Sequence, residues 1–266
     1  RSFMEDLGQV APAAFVSAII GGVIFNASNI LLSASTALAG LSVAFPVGVG
    51  LALVLGVINN YVLQPKGDAV LLFGGVALIV VAVILNGMAS GRLQKSGGSA
   101  RKGIILAICA GILMSFFYRF VAVAMDLDNF ESPEAGKATP YTAFFIFALG
   151  IFISNFVFNT MAMKKPFVGE PVGYKSYFSG SFGTHCVGAL GGFIWGIGTL
   201  LSYIVAGKAG AAISYALGQG APMIAALWGV CVWKEFKGAP KSVNLWLGLM
   251  FAFFIIGLAI IVMAGE

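Results

Sequence analysis

Apolar residues run along the chain in blocks of twenty or more that are hydrophobic on every face, separated by short charged or Pro/Gly-rich stretches. A bilayer core takes about 20 apolar residues of α-helix. Cutting the chain at its breaks predicts eight membrane-spanning helices, over 10–33, 37–63, 69–90, 103–125, 140–163, 186–206, 209–233 and 243–264, with 34–36 as a short loop. Strands do not fit, because membrane barrels alternate apolar and polar residues and these blocks do not. The first block is too long for a cleavable signal peptide and continues into further spans. The expected fold class is an all-α membrane protein.

Composition narrows the classes further. Of 266 residues 59% are apolar and 25 carry a charge, against roughly a quarter charged in a soluble domain. With a mean hydropathy of +0.98, this excludes a secreted disulfide scaffold, a nucleic-acid module and a disordered chain. Cys109, Cys186 and Cys231 lie in or beside apolar runs, where a thiol behaves as a small hydrophobe. The net charge of +5 matters less than where the bases sit. Arg92, Lys95, Arg101, Lys102, Lys164, Lys165, Lys175, Lys234, Lys237 and Lys241 fall on one side of the predicted membrane, and Arg1, Lys66, Lys137 and Lys208 on the other, with the acidic run Asp126, Asp128, Glu131 and Glu134. The positive-inside rule makes the ten-base side cytoplasmic and puts both ends of the chain outside.

The chain also matches itself at an offset of 170 residues. Between 21–50 and 191–220, eight of thirty positions are identical without a gap, five of them glycine, including Gly40 with Gly210. The charge count gives the first span of each copy opposite directions, so the repeat is inverted. Inverted repeats mark secondary transporters, with the solute held near the midplane between the halves. The second copy is preceded by two spans and the first by none, which predicts two further helices upstream of Arg1 and a native bundle of ten. On this reading residues 1–90 are the last three helices of the first repeat, 91–102 a short cytoplasmic linker, and 103–266 the complete second repeat.

Three groups of residues could form the solute site. Arg119 is the one charge within a predicted span. A charge there is expensive unless it faces a wet interior, where its donor fork would suit carbonyl or anionic oxygens; alternatively it snorkels outward to Asp126 or Asp128. Asn26 with Asn29, Asn155 with Asn159, and Tyr215 with Gln219 share helix faces at i,i+3 or i,i+4. Their carboxamides and hydroxyl suit a neutral polar solute, or else tie helices together. Tyr118, Trp195 and Trp228 could stack on a planar ring or a sugar face. Asn59, Asn60 and Asn86 read as interfacial, and Pro46 and Pro222 as mid-membrane helix interruptions. One histidine cannot build the usual metal or triad arrangements, so neither catalysis nor a cofactor is expected.

The segments PYTAFFIFALGIFISNFVFN (140–159), LGGFIWGIGTLLSYIVAGKAG (190–210) and ALGQGAPMIAALWGVCVWKEFKG (216–238) carry a resemblance to the drug/metabolite transporter superfamily. Within it the chain is most similar to the ureide permeases and the related glucose/rhamnose permeases. The resemblance implies ten helices around a central solute pocket with an outside amino terminus. Plant ureide permeases carry a long central loop with a phosphate-loop-like motif; here that stretch is GRLQKSGGSARK (91–102), without the G-x-x-x-x-G-K-[ST] pattern. The expected function is alternating-access transport of a nucleobase, ureide or sugar across a bacterial inner membrane. Coupling to a proton or sodium ion and homo-oligomerisation are left open. A drug or amino-acid exporter is the alternative within the superfamily, and a non-transporting assembly subunit the alternative outside it.

Overall fold

A computed structural model describes residues 2–92, 100–129, 132–218, 220–234 and 236–265. Its elements are helices: α1 (Phe3–Gln9), α2 (Pro12–Ala39), α3 (Leu41–Leu63), α4 (Ala69–Gly91), α5 (Ala100–Ala124), α6 (Pro140–Lys164), α7 (Tyr174–Phe178), α8 (Phe182–Ala209), α9 (Ala211–Gly218), α10 (Ala221–Trp228) and α11 (Lys241–Met263), with a π-helical turn at Gly229–Trp233. Among the described residues six helices are long and apolar enough to cross a membrane, and Val47–Leu63 forms a shorter apolar stretch. The protein is an all-α membrane protein.

Two predicted breaks are corrected. Residues 34–36 are not a loop, since α2 runs on to Ala39. Ser35 and Thr36 satisfy their hydroxyls on the carbonyls of Gly103 and Ser33, so nothing stops the helix before Gly40. Conversely, the predicted span 209–233 is divided after Gly218. Pro222 stands in the first turn of α10, where a missing N–H costs little, whereas Pro46 lies within α3 without ending it.

The repeat offset recurs in local geometry. Both α2 and α8 have 28 residues and stop at a glycine, Gly40 (φ 79, ψ 158) and Gly210 (φ 89, ψ 159), in a backbone region essentially reserved for glycine. Their N–H groups donate to Thr36 O at 3.0 Å and Ala206 O at 2.9 Å. The following segments start at Leu41 and Ala211, also 170 apart, and α4 and α11 have 23 residues each.

Helices in lipid associate by close packing rather than by the hydrophobic effect, and glycines set the crossings here. A Cβ on Gly22 would lie 2.2 Å from Phe147 O, and one on Gly150 2.4 Å from Ile19 O, so α2 and α6 touch backbone to backbone. Gly75 and Gly257 do the same for α4 and α11, each added Cβ falling 2.7 and 2.8 Å from the other's carbonyl oxygen. The most extensive packing is α2 on α5, with α3 also on α5 and on α9. The buried residues of α6 end at Ser154 and those of α8 are Tyr203 and Ala206, so both helices are buried at the ends away from the basic loops.

Candidate functional site

Six helices meet around one aromatic layer. Phe25 and Trp195 are each the fourteenth residue of a 28-residue helix and correspond at the repeat offset. Their rings stack on each other at 4.8 Å with 22° between planes. Two side chains in equivalent places on the two copies thus face one another at mid-helix. Phe25 also meets Phe117 at 4.9 Å and Phe147 at 5.6 Å. Outward of this stack lie Tyr118, Tyr203 and Tyr215, with Tyr118 5.3 Å from Tyr203 and 5.6 Å from Tyr215.

A hydroxyl cluster is enclosed in the layer. Tyr118 OH donates to Ser214 Oγ at 2.9 Å, with Ser202 O a second acceptor within reach at 3.1 Å. Ser202 Oγ and Ser214 Oγ lie 2.9 Å apart, and Ser214 Oγ also donates to Ser202 O. Tyr215 OH donates to Ala52 O at 3.0 Å, its ring filling the space where a Cβ on Gly56 would come within 2.3 Å. The Tyr203 hydroxyl is different. Tyr203 is fully buried, and its OH has no hydrogen-bond partner among the described residues. A buried unpaired hydroxyl costs about 1–3 kcal/mol, so its persistence in the layer calls for a partner.

Of the residues singled out by sequence, Tyr118, Trp195 and Tyr215 come together here. Asn26 is buried, but its Nδ2 donates to Ser154 Oγ at 2.9 Å and Ile151 O at 3.4 Å, a tie between α2 and α6. Asn29 donates to Phe25 O at 3.1 Å, one turn back in its own helix and next to the stack. Asn155 is half-buried and Asn159 exposed, and neither side chain makes a hydrogen bond among the described residues. Arg119 is half-buried without an ion pair among the described residues. Gln219 lies outside the described residues. Asn60, near the end of α3, is fully buried, donates to Gly56 O at 2.7 Å and leaves Oδ1 without a partner among the described residues.

Sequence reasoning missed Ser202, Tyr203 and Ser214. A signal was present, since Ser-Tyr occurs at 202–203 and again at 214–215 across the Gly210 break. Phe25, Phe117 and Phe147 had no signal of their own among 23 phenylalanines.

At the end of the bundle away from the basic loops, carboxylates are held by hydrogen bonds. Asp6 of α1 is buried, and its Oδ2 accepts from Thr139 N at 2.9 Å and Thr139 Oγ1 at 2.8 Å. Gln9 donates to Asp6 Oδ1 at 3.1 Å and to Lys137 O at 2.7 Å, so α1 clips the α5–α6 loop. Burial pushes the Asp6 carboxyl up, but the bonds from Thr142, Thr139 and Gln9 outweigh it and hold it below the usual carboxylate value. Asp126 likewise accepts from the N–H groups of Glu134, Asn129 and Asp128. With some help from Lys137 these bonds keep it ionised below its ordinary range. Asp128 accepts from Gln64, so both acids offered to Arg119 are engaged elsewhere.

Residues 90–265 match the protein family described as ureide permease. The chain is 23% identical to ureide permease 1 of Arabidopsis thaliana over 98% of this chain and 80% of that protein. It is 24% identical to ureide permease 2 of the same plant, with the same coverage. It is 22% identical to RbsU, a protein of Latilactobacillus sakei named for ribose uptake, over 89% of this chain and 75% of that one. No solved structure matches the chain significantly.

Proposed function

The chain belongs to the ureide permease family, and from that membership we infer a secondary transporter that moves a small polar organic solute across the membrane by alternating access. Nucleobases or ureides are the first substrate class and sugars the second, in keeping with the names of its relatives. The observation that carries the site is the unpaired Tyr203 hydroxyl beside the Tyr118–Ser202–Ser214 cluster, enclosed by aromatic rings. Rings supply stacking faces for a planar heterocycle or a sugar, and hydroxyls both donate and accept. Among the described residues the hydrogen bonds of this cluster involve only Tyr and Ser groups, which favours a neutral solute.

The halves 1–90 and 103–266 are read as inverted copies. The equal lengths of α2 and α8, the matched glycine stops and the Phe25–Trp195 stack support that reading. The buried residues of α6 and α8 lie toward the ends away from the basic loops, where the aromatic layer packs. Asp126 is a poor proton carrier, because four groups stabilise its charged form. Uniport, or coupling through a sodium ion, follows more readily from these residues.

The test is uptake by the reconstituted full chain in liposomes, using labelled uracil, allantoin, ribose, glucose and rhamnose with and without a proton or sodium gradient. At least one solute should accumulate or exchange. If none does, the reading fails. Uptake of a lipophilic cation in place of these solutes would favour the exporter alternative.

A further inference from the structure

A second cavity lies away from the aromatic layer. Helices α2 and α6 cross in backbone contact at Gly22 and Gly150, and their last polar tie is Asn26 to Ser154. Beyond it the two helices flank a groove of about 460 Å³, walled by Ala27, Ile30 and Leu31 on one side and Phe158, Met161 and Ala162 on the other. At 100° per residue these α2 positions lie on the opposite side of the helix from Phe25, so the groove faces the surroundings of the bundle rather than its centre. Its walls offer a polar solute no hydrogen bond, and an unpaired polar group in such a place costs several kcal/mol. An alkyl chain meets no such penalty.

The mouth has the opposite character. Lys164 and Lys165 line it at the basic end of α6, and Lys102 lies over the ring of Phe167, another lining residue, at 5.9 Å. Glu170, the acid on the same loop, does not line it. The adjoining segment turns aromatic side chains outward: Tyr174, Tyr177, Phe178 and Phe182 are all exposed, and Tyr174 is tied to Thr160 of α6 at 2.5 Å. Tyrosine and lysine together at a helix end are the signature of a membrane–water interface. An apolar cleft that opens at headgroup level beneath three cations complements a molecule with an anionic head and a hydrocarbon tail.

We propose that this groove binds an anionic phospholipid of the cytoplasmic leaflet, with its phosphate between Lys164 and Lys165 and one acyl chain laid between α2 and α6. The lysines supply the preference for negative charge, and the groove supplies retention of the chain. Lipid seated here fills the space between α2 and α6.

The test titrates the purified full chain in detergent with phosphatidylglycerol and phosphatidylcholine of the same acyl chains and reads bound lipid by native mass spectrometry. Wild type should retain phosphatidylglycerol preferentially. At about 1 kcal/mol per surface base, the double substitution Lys164→Gln/Lys165→Gln should weaken phosphatidylglycerol about 30-fold and leave phosphatidylcholine unchanged. Lys164→Arg/Lys165→Arg should restore it. Ala162→Phe fills the groove and should release both lipids. Equal retention of the two lipids by wild type, or an undiminished preference in the double glutamine variant, would overturn the proposal. Both lysines are exposed, so these substitutions do not threaten folding and decide the matter even if Ala162→Phe fails to fold.

Discussion

At the scale of single residues, the informative side chain is the one that packing alone would have made phenylalanine. Tyr203 contributes a ring to the layer, 5.9 Å from Phe147 and 5.3 Å from Tyr118, yet its hydroxyl is unpaired. Tyr203→Phe should therefore leave thermal stability unchanged or raise it, while increasing KM for the transported solute about three- to tenfold, the worth of one hydrogen bond. Liposome uptake beside a thermal melt of the same preparation checks both signs. A melt lowered by more than a few degrees with KM unchanged would assign Tyr203 to packing. Ser214→Ala differs, because it strips a partner from Tyr118 and Ser202; a loss of about 1 kcal/mol is expected together with reduced flux. The polar positions chosen by spacing show why sequence falls short here. Asn26 and Tyr118 look alike as intramembrane polar residues, and only the neighbour decides: Ser154 on α6 turns Asn26 into a tie, whereas Tyr118 meets two serines from α8 and α9.

At the scale of elements, helix stops and clips are set by local chemistry. Gly40 and Gly210 both hold ψ near 159 at positive φ, so Gly40→Ala or Gly210→Ala should each cost about 1–3 kcal/mol, measured as detergent-solubilised thermal stability. Gly210→Ala also brings its Cβ to 2.9 Å from Lys66 Cβ, a contact that adds to the backbone strain. The α1 clip predicts a pH dependence. Because the folded Asp6 carboxyl is held below its ordinary value, its contribution is complete above the unfolded value of about 3.9 and is lost as pH falls through the lower folded one. Hydrogen exchange of α1 should thus be protected at neutral pH and rise only below about pH 4. Asp6→Asn should raise it at neutral pH by the equivalent of about 1.5–3 kcal/mol, the worth of a bond to a charged group. Predicted span positions agree closely with α3 to α6 and α11, since length and apolarity suffice for them. The misplaced break at 34–36 and the absence of a break at Pro46 share one cause: the helix follows backbone conformation, which a hydropathy pattern does not contain, whereas the interruption read at Pro222 does fall where α10 begins.

At the scale of the whole molecule, packing is uneven. Among the described residues, the buried positions of α6 and α8 lie in the halves away from the basic loops, which pack against α2, α5 and α9. Cys186 stands near the inner end of α8 and is exposed. In a Cys109→Ser/Cys231→Ser background, a transported solute that draws the inner ends together should slow maleimide labelling of Cys186 several-fold. An unchanged rate under saturating solute would count against rocking of α8. The chain's linear pattern alone determined the membrane class, the approximate spans, the side that carries the bases and the repeat at 170 residues, because each depends on composition and order along one helix at a time. Which polar groups tie helices, which hydroxyl stays unpaired, and where α2 and α6 flank a groove were decided only in three dimensions. Those depend on side chains from helices a hundred residues apart meeting at glycine crossings, and no single helix face encodes its neighbour.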